Sequence, residues 1–158
     1  MDQTGGVKPF ARVALREVEA DFLAARDSFY LATVSETGWP YVQHRGGPRG
    51  FLRVVSPTRI AFADFSGNRQ YLSVGNAGRD DRASMIVMDY ANRRRLKLLG
   101  RLRFQDADAA VELPGYPARI ERLATFEVEG FDWNCPQHIT PRYTKAEWEA
   151  HVRAERGL

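Results

Sequence analysis

Six residues, Ser66 to Tyr71 ("SGNRQY"), place a hydroxyl, a glycine, an amide and a guanidinium directly after the apolar run "RIAFADF". If Ser66 caps a short helix running toward Val74, the first N–H groups of that helix are unpaired and point one way, and Arg69 adds a full charge beside them. Such a grouping suits a compact oxyanion, above all a phosphate monoester, because a helix terminus and a guanidinium fork both address it. An ordinary helix cap with a solvated arginine is the competing reading, and the local sequence leaves both open. A second polar cluster, "DWNCPQHIT", holds Trp133, Asn134, Cys135, Gln137 and His138 within six positions. Cys135 and His138 are spaced as two metal ligands, yet a closed zinc site takes four, and His44 and His151 stand apart. A cysteine nucleophile would find a base in His138 but no assembled oxyanion hole. A Pro-stopped surface turn is the plain alternative. A flat heteroaromatic ligand with carbonyl and imide edges would use so many hydrogen-bonding side chains beside an indole.

The formal net charge of +3 comes from arginine clusters at "PRGFLR", "NRRRLK" and "GRLR" rather than from a tail. Clusters of this kind attract an anion without choosing among nucleic acid, a phosphorylated small molecule and counter-ions. On the strand "RLKLLGRLRF", Leu96, Leu98, Leu102 and Phe104 alternate with Arg95, Lys97, Arg101 and Arg103. Arg101 and Arg103 read as a solvated outer face, whereas Arg95 and Lys97 come first, next to a turn. RNA held on that face would need exposed aromatics to stack on, and the face has none, so nucleic acid is not the expected partner.

The elements that must position these groups are mostly strands. "FYLATV" and "YVQH" flank the turn "ETGWP" and read as a hairpin; "FLRVV" and "RIAFADF" flank "SPT"; "ASMIVMDY" turns through "ANR" into the strand at Arg95. Leu99 with Gly100 marks a kink in that strand, and "LATFEVEGF" is a last strand. Glycines in "RGGPRG" suggest a bulge or a close backbone approach. Leu15, Val18, Phe22 and Ala25 recur at helical spacing, which predicts an amino-terminal helix over about 11–26; "DADAAVEL" reads as a short helix. "TKAE" is a capping box that opens a helix over about 144–156. About six strands linked by hairpins predict an antiparallel barrel or sandwich, with the barrel over about 28–131. The fingerprints of a dinucleotide fold and of a P-loop are absent.

The chain has 158 residues, 44% of them hydrophobic and 27% charged, the composition of one globular domain. No apolar run approaches the roughly 20 residues of a bilayer span, and the amino end is charged where a signal peptide would be apolar, so no membrane role and a cytoplasmic location are expected. The single cysteine cannot form an internal disulfide, which fits a reducing compartment.

In order along residues 20–143, "FYLATVSETGWPYVQHRGGPRGFLRVV", "RIAFADFSGNRQYLSVGN", "ASMIVMDYANRRRLKLLGRLRF" and "DWNCPQHITPRY" resemble the pyridoxamine 5'-phosphate oxidase-like, FMN-binding split-barrel proteins. The resemblance implies a mainly β fold, a six-stranded antiparallel split β-barrel, and a homodimer with FMN in clefts at the subunit interface. It implies that Asn68, Arg69 and Gln70 hold the ribityl phosphate, with Ala63 and Asp64 beside them, and that Arg53 and Arg95 lie near the cofactor. It further implies that Arg45, Gly46 and Gly47 face the isoalloxazine and that Asn134, Gln137 and His138 approach from the partner subunit. The carboxyl-terminal arginine and histidine with which true pyridoxamine phosphate oxidases hold substrate have no match in "KAEWEAHVRAERGL". The implied activity is therefore that of a flavoprotein passing hydride to or from another small-molecule substrate, with a flavin, deazaflavin or haem binding or sensing protein as the alternative.

Overall fold

A computed structural model of the chain describes residues 10–65, 72–106 and 119–157. Its elements are, in chain order, α1 (Glu17–Ala24), β1 (Ser28–Val34), β2 (Pro40–Gly46), β3 (Leu52–Ser56), β4 (Arg59–Phe65), α2 (Leu72–Arg79), β5 (Arg82–Asp89), β6 (Arg94–Asp106), β7 (Ile120–Trp133) and α3 (Lys145–Glu155). The strands form one antiparallel sheet in the order β2-β1-β5-β6-β7-β4-β3. There are seven strands where about six were expected; each of the seven extended segments in the sequence pairs, including the short β3, which lies against β4. No ladder joins β2 to β3, so the rolled sheet remains split between its two edges.

Period-two alternation drives the roll. Phe29 and Leu31 of β1, Met85 and Val87 of β5, Leu96, Leu98 and Leu102 of β6, and Ala124 and Phe126 of β7 all point inward and are buried. Burying each of the larger side chains contributes about 1.5–3 kcal/mol. Phe29 and Phe62 meet edge to face at 5.0 Å in the middle of this core. The kink expected at Gly100 is a register shift in the β6–β7 ladder. A side chain on Gly100 would overlap the Glu127 carbonyl, which explains the glycine. At the β1–β2 turn, Gly38 takes φ +83° and its N–H donates to the Ser35 carbonyl at 2.9 Å.

The helices depart from expectation in one instructive way. The amino-terminal helix is shorter than 11–26, because Arg12 forms an isolated bridge with Phe131 and the Leu15 N–H donates to the Pro57 carbonyl at 2.6 Å, holding the preceding chain extended. The buried face is also rotated: Glu19, Phe22 and Leu23 are covered, whereas Val18 is 44% exposed. A buried carboxylate decides that rotation. Glu19 accepts from the Arg16 backbone and guanidinium at 2.9 Å and from the Trp133 indole N–H at 2.8 Å. Phe22 packs edge to face on Trp133 at 4.8 Å, and the Arg94 guanidinium covers both rings. The capping box at Thr144 forms as read: the Glu147 N–H donates to the hydroxyl and the Thr144 N–H to the Glu147 carboxylate. The short helix expected at "DADAAVEL" lies outside the described residues apart from Asp106, which ends β6. Among the described residues no helix is long and apolar enough to cross a membrane.

Burial alone would raise the Glu19 carboxyl, but its bonds from Arg16 and Trp133 overcome this and hold it at about 2 against an ordinary 4.5. A carboxyl depressed on folding stabilises the protein above its unfolded value and loses that contribution as pH falls through its folded value. Urea unfolding should therefore show Glu19→Gln less stable by up to about 3 kcal/mol at neutral pH. The difference from the parent should shrink as pH falls from 4.5 to about 2; a difference independent of pH would contradict this account.

Candidate cofactor-binding site

The inward positions of β1, β2 and β4 change character at one end of the barrel. Thr33, Gln43, Arg45 and Asp64 sit where the alternation calls for apolar side chains, and all four are buried. Arg45 and Asp64, 4% and 5% exposed, form an ion pair that spans the split between β2 and β4. Arg122 of β7, opposite Asp64 in the ladder, approaches its second oxygen at 3.6 Å. The Arg45 guanidinium lies over the Phe104 ring at 5.7 Å, and its Nε and Nη2 have no hydrogen-bond partner among the described residues. Burial pushes the Arg45 guanidinium down and the Asp64 carboxyl up, while each favours the ionised form of the other.

Helix α2 closes this end with two buried polar bonds, beside Ala77, which packs against the core. Ser73 and Asn76, three apart and on one face, are its buried residues. The Ser73 hydroxyl donates to the Gln43 side-chain oxygen at 3.0 Å, and the Asn76 amide to the Thr33 hydroxyl at 3.1 Å. Sequence reading passed over Thr33, Gln43, Ser73, Asn76 and Arg122. The signal for the first two was a polar residue at an inward strand position. The Ser66 cap and the phosphate grip assigned to Asn68, Arg69 and Gln70 lie outside the described residues; Phe65 and α2 flank them.

The remaining expected site residues fall in three places. Gly47 packs face-on against the Phe51 and Phe65 rings, where a Cβ would come within 2.7 Å of Phe51, and its N–H donates to the Asp27 carbonyl at 3.0 Å. Close packing against the chain's own aromatics is thus what requires this glycine. Gly46 ends β2 opposite Ser28. Arg45 points into the barrel beside Asp64, not toward an open surface. Arg53 is exposed on β3, opposite Ala61, and its Nε donates to the Gly50 carbonyl at 2.6 Å; Ala63 is buried and its N–H donates to the Phe51 carbonyl at 3.4 Å.

Arg95 and Asn134 lie together in one chain. The Asn134 N–H donates to the Arg95 carbonyl at 3.2 Å, and both side chains carry a buried polar atom without a partner among the described residues, Arg95 Nε and Asn134 Oδ1. Gln137 and His138 follow on an exposed turn, with His138 at φ +65°. Trp133 is not presented to a ligand edge, because its N–H is committed to Glu19. Arg95 belongs to the outer face of the sheet, whose register runs Val42–Ala32–Ser84–Leu99 and His44–Tyr30–Ile86–Lys97 across β2, β1, β5 and β6. An apolar recess of about 300 Å³ on this face is lined by Tyr30, Val42, Ile86, Lys97 and Leu99. Further along β6, Arg101 is neutralised by Asp81 and Glu129, each at 2.9 Å.

The family profile of pyridoxamine 5'-phosphate oxidase matches residues 15–129, which takes in every strand up to the middle of β7. The chain belongs to the pyridoxamine 5'-phosphate oxidase family. No curated protein matches it. Solved structures share the split-barrel fold at low identity. A candidate pyridoxamine 5'-phosphate oxidase from Lactobacillus delbrueckii is 18% identical, with a TM-score of 0.58 over 80% of this chain and 99% of that one. An FMN-binding protein from Syntrophomonas wolfei is 13% identical, with a TM-score of 0.52 over 73% and 84%. An F420 reductase is 17% identical, with a TM-score of 0.52 over 75% and 98%. Membership of the family therefore rests on the profile, and these likenesses speak to the fold.

The buried pair gives this family member a specific vulnerability. Asp64→Asn leaves Arg45 buried without its counter-charge and should cost about 3–5 kcal/mol in urea unfolding. Replacing both partners with apolar residues of similar volume should recover most of that loss. Equal losses in the single and double variants would contradict the pairing.

Proposed function

We propose that the chain is a cytoplasmic, FMN-dependent oxidoreductase acting on a small molecule and working as a homodimer. The observation that carries this reading is the pairing of Arg95 and Asn134. One carries a buried donor and the other a buried acceptor, each without a partner among the described residues, and a backbone bond joins the two residues. Buried polar atoms are almost always satisfied, and a ligand with adjacent carbonyl and imide groups would satisfy this pair. The residues thus fit a flavin. When bound, FMN would supply hydride transfer through its ring, with the protein contributing orientation and charge.

In this reading Asn68, Arg69 and Gln70 hold the cofactor's phosphate, with Ala63, Asp64 and Arg53 nearby, and Arg95 and Asn134 address the ring edge. The Arg45–Asp64 pair sets the end of β4 from which the phosphate-holding residues continue, so Arg45 acts through position rather than by touching the ring. A second copy of the chain covers the outer face of β1, β2, β5 and β6, where Val42 is 63% exposed and Leu99 40%. Gln137 and His138, on their exposed turn, reach toward that neighbour.

A second reading, a non-catalytic protein that binds or senses a flavin, deazaflavin or haem, draws support from two observations. Arg45, which the resemblance sets against the isoalloxazine, is enclosed with Asp64, and a fold shared with an F420 reductase keeps a deazaflavin among the candidate ligands. Turnover of a reduced nicotinamide with an electron acceptor separates the two readings.

The purified protein should be yellow and release FMN on denaturation. Arg69→Ala removes a charge-assisted contact and should weaken FMN binding by about 1.5–3 kcal/mol, measured by titration of the apoprotein. A colourless protein that takes up no added FMN would end both flavin readings.

A further inference from the structure

A cleft of about 210 Å³, lined by none of the residues assigned to the flavin although its Met88 pairs with Arg95 in the ladder, opens between the amino end of β1, the β5–β6 turn and the start of α3. Three arginines from separate parts of the chain converge on it: Arg26 after α1, Arg49 in the loop between β2 and β3, and Arg142 just before α3. Tyr90 and Tyr143 supply its aromatic walls.

The charges in the cleft are unequally committed. Asp89 accepts from the Asn92 backbone N–H at 3.2 Å and the Asn92 amide at 2.9 Å, and it pairs with Arg26 at 3.3 Å. One oxygen of Glu147 accepts the Thr144 N–H at 2.7 Å and so belongs to the capping box of α3. The other lies 4.0 Å from Arg49, an ion pair too long for a hydrogen bond. Arg142 has no carboxylate partner among the described residues; its guanidinium lies over the Tyr90 ring at 5.4 Å, which fixes the fork without using its donors. Asp89 and Glu147 are engaged by the fold and Asp27 is exposed to solvent, whereas the Arg49 and Arg142 forks keep N–H groups without a hydrogen-bonded carboxylate among the described residues. A planar fork addresses two oxygens of one group, the geometry of a carboxylate or phosphate.

We propose that this cleft binds a small organic oxyanion, its carboxylate or phosphate held by Arg142 and Arg49 and its ring or chain lying against Tyr143. Asp27, an exposed carboxylate in the lining, discourages larger polyanions. The cleft's lining includes none of Asn68, Arg69 and Gln70, to which the phosphate grip is assigned, and the proposal does not depend on the flavin reading.

Calorimetric titration of the protein as isolated tests the site with phenyl phosphate and benzoate as probes and benzyl alcohol as the neutral control. Arg49→Ala and Arg142→Ala alter exposed side chains, so both variants should fold as the parent does. At least one anionic probe should bind, benzyl alcohol should not, and each variant should weaken binding by about tenfold or more, the effect of losing a charge-assisted hydrogen bond. The FMN content of both variants should equal the parent's, so a failure of the flavin reading leaves this result legible. No anion binding, equal binding of benzyl alcohol, or unchanged affinity in Arg142→Ala would overturn the proposal. Binding lost in Arg69→Ala instead would place the probes in the phosphate grip and overturn it too.

Discussion

One buried ion pair ties the edge strand β2 to β4, the strand next to the other edge. The ladder from β2 through β1, β5, β6, β7 and β4 to β3 never closes. Backbone hydrogen bonds therefore fix every neighbour except the pair across the split. Arg45 and Asp64 bridge that gap from inside, under the cover of Phe104. Placing two charges where the core should be apolar carries a large desolvation cost, and it is tolerable only while each compensates the other. The barrel wall is thus least forgiving at the end from which β4 runs on toward the residues assigned to a phosphate.

The same end shows why polar groups cluster inside a small β-protein. Thr33, Gln43 and Arg45 interrupt the apolar face of β1 and β2, and each meets a directional partner in α2 or β4. Apolar contacts tolerate sliding, whereas hydrogen bonds between named atoms fix a register. Glu19 does the same work at the other side of the molecule, tying α1 to Trp133 at the end of β7 and so to the residue that precedes Asn134. Both devices spend stability on position.

Much of the architecture could be read from residue order. The alternation of Leu96, Leu98 and Leu102 with cations, the glycine turn before Trp39 and the capping box at Thr144 are local signals, and their structures are local. What could not be read depends on contacts distant in sequence. Val18 fits a helical stripe as well as Leu23 does, and only the pairing of Glu19 with Trp133, 114 positions away, selects the face that is buried. Arg45 followed a glycine-rich pattern that resembled a ligand loop, but its inward place in β2 aims it at Asp64. Arg95 and Asn134 were both assigned to one ligand, yet their adjacency within a single chain follows from the β6–β7 ladder and from no nearby motif.

Helix α2 is bound to the barrel by a hydroxyl and an amide, with the small side chain of Ala77 packed against the core. Water can replace both bonds when the helix lifts, so detachment exposes little hydrophobic surface and costs far less than opening the wall. The amides of this helix should accordingly exchange with solvent before those of β6 and β7, which the long central ladder protects.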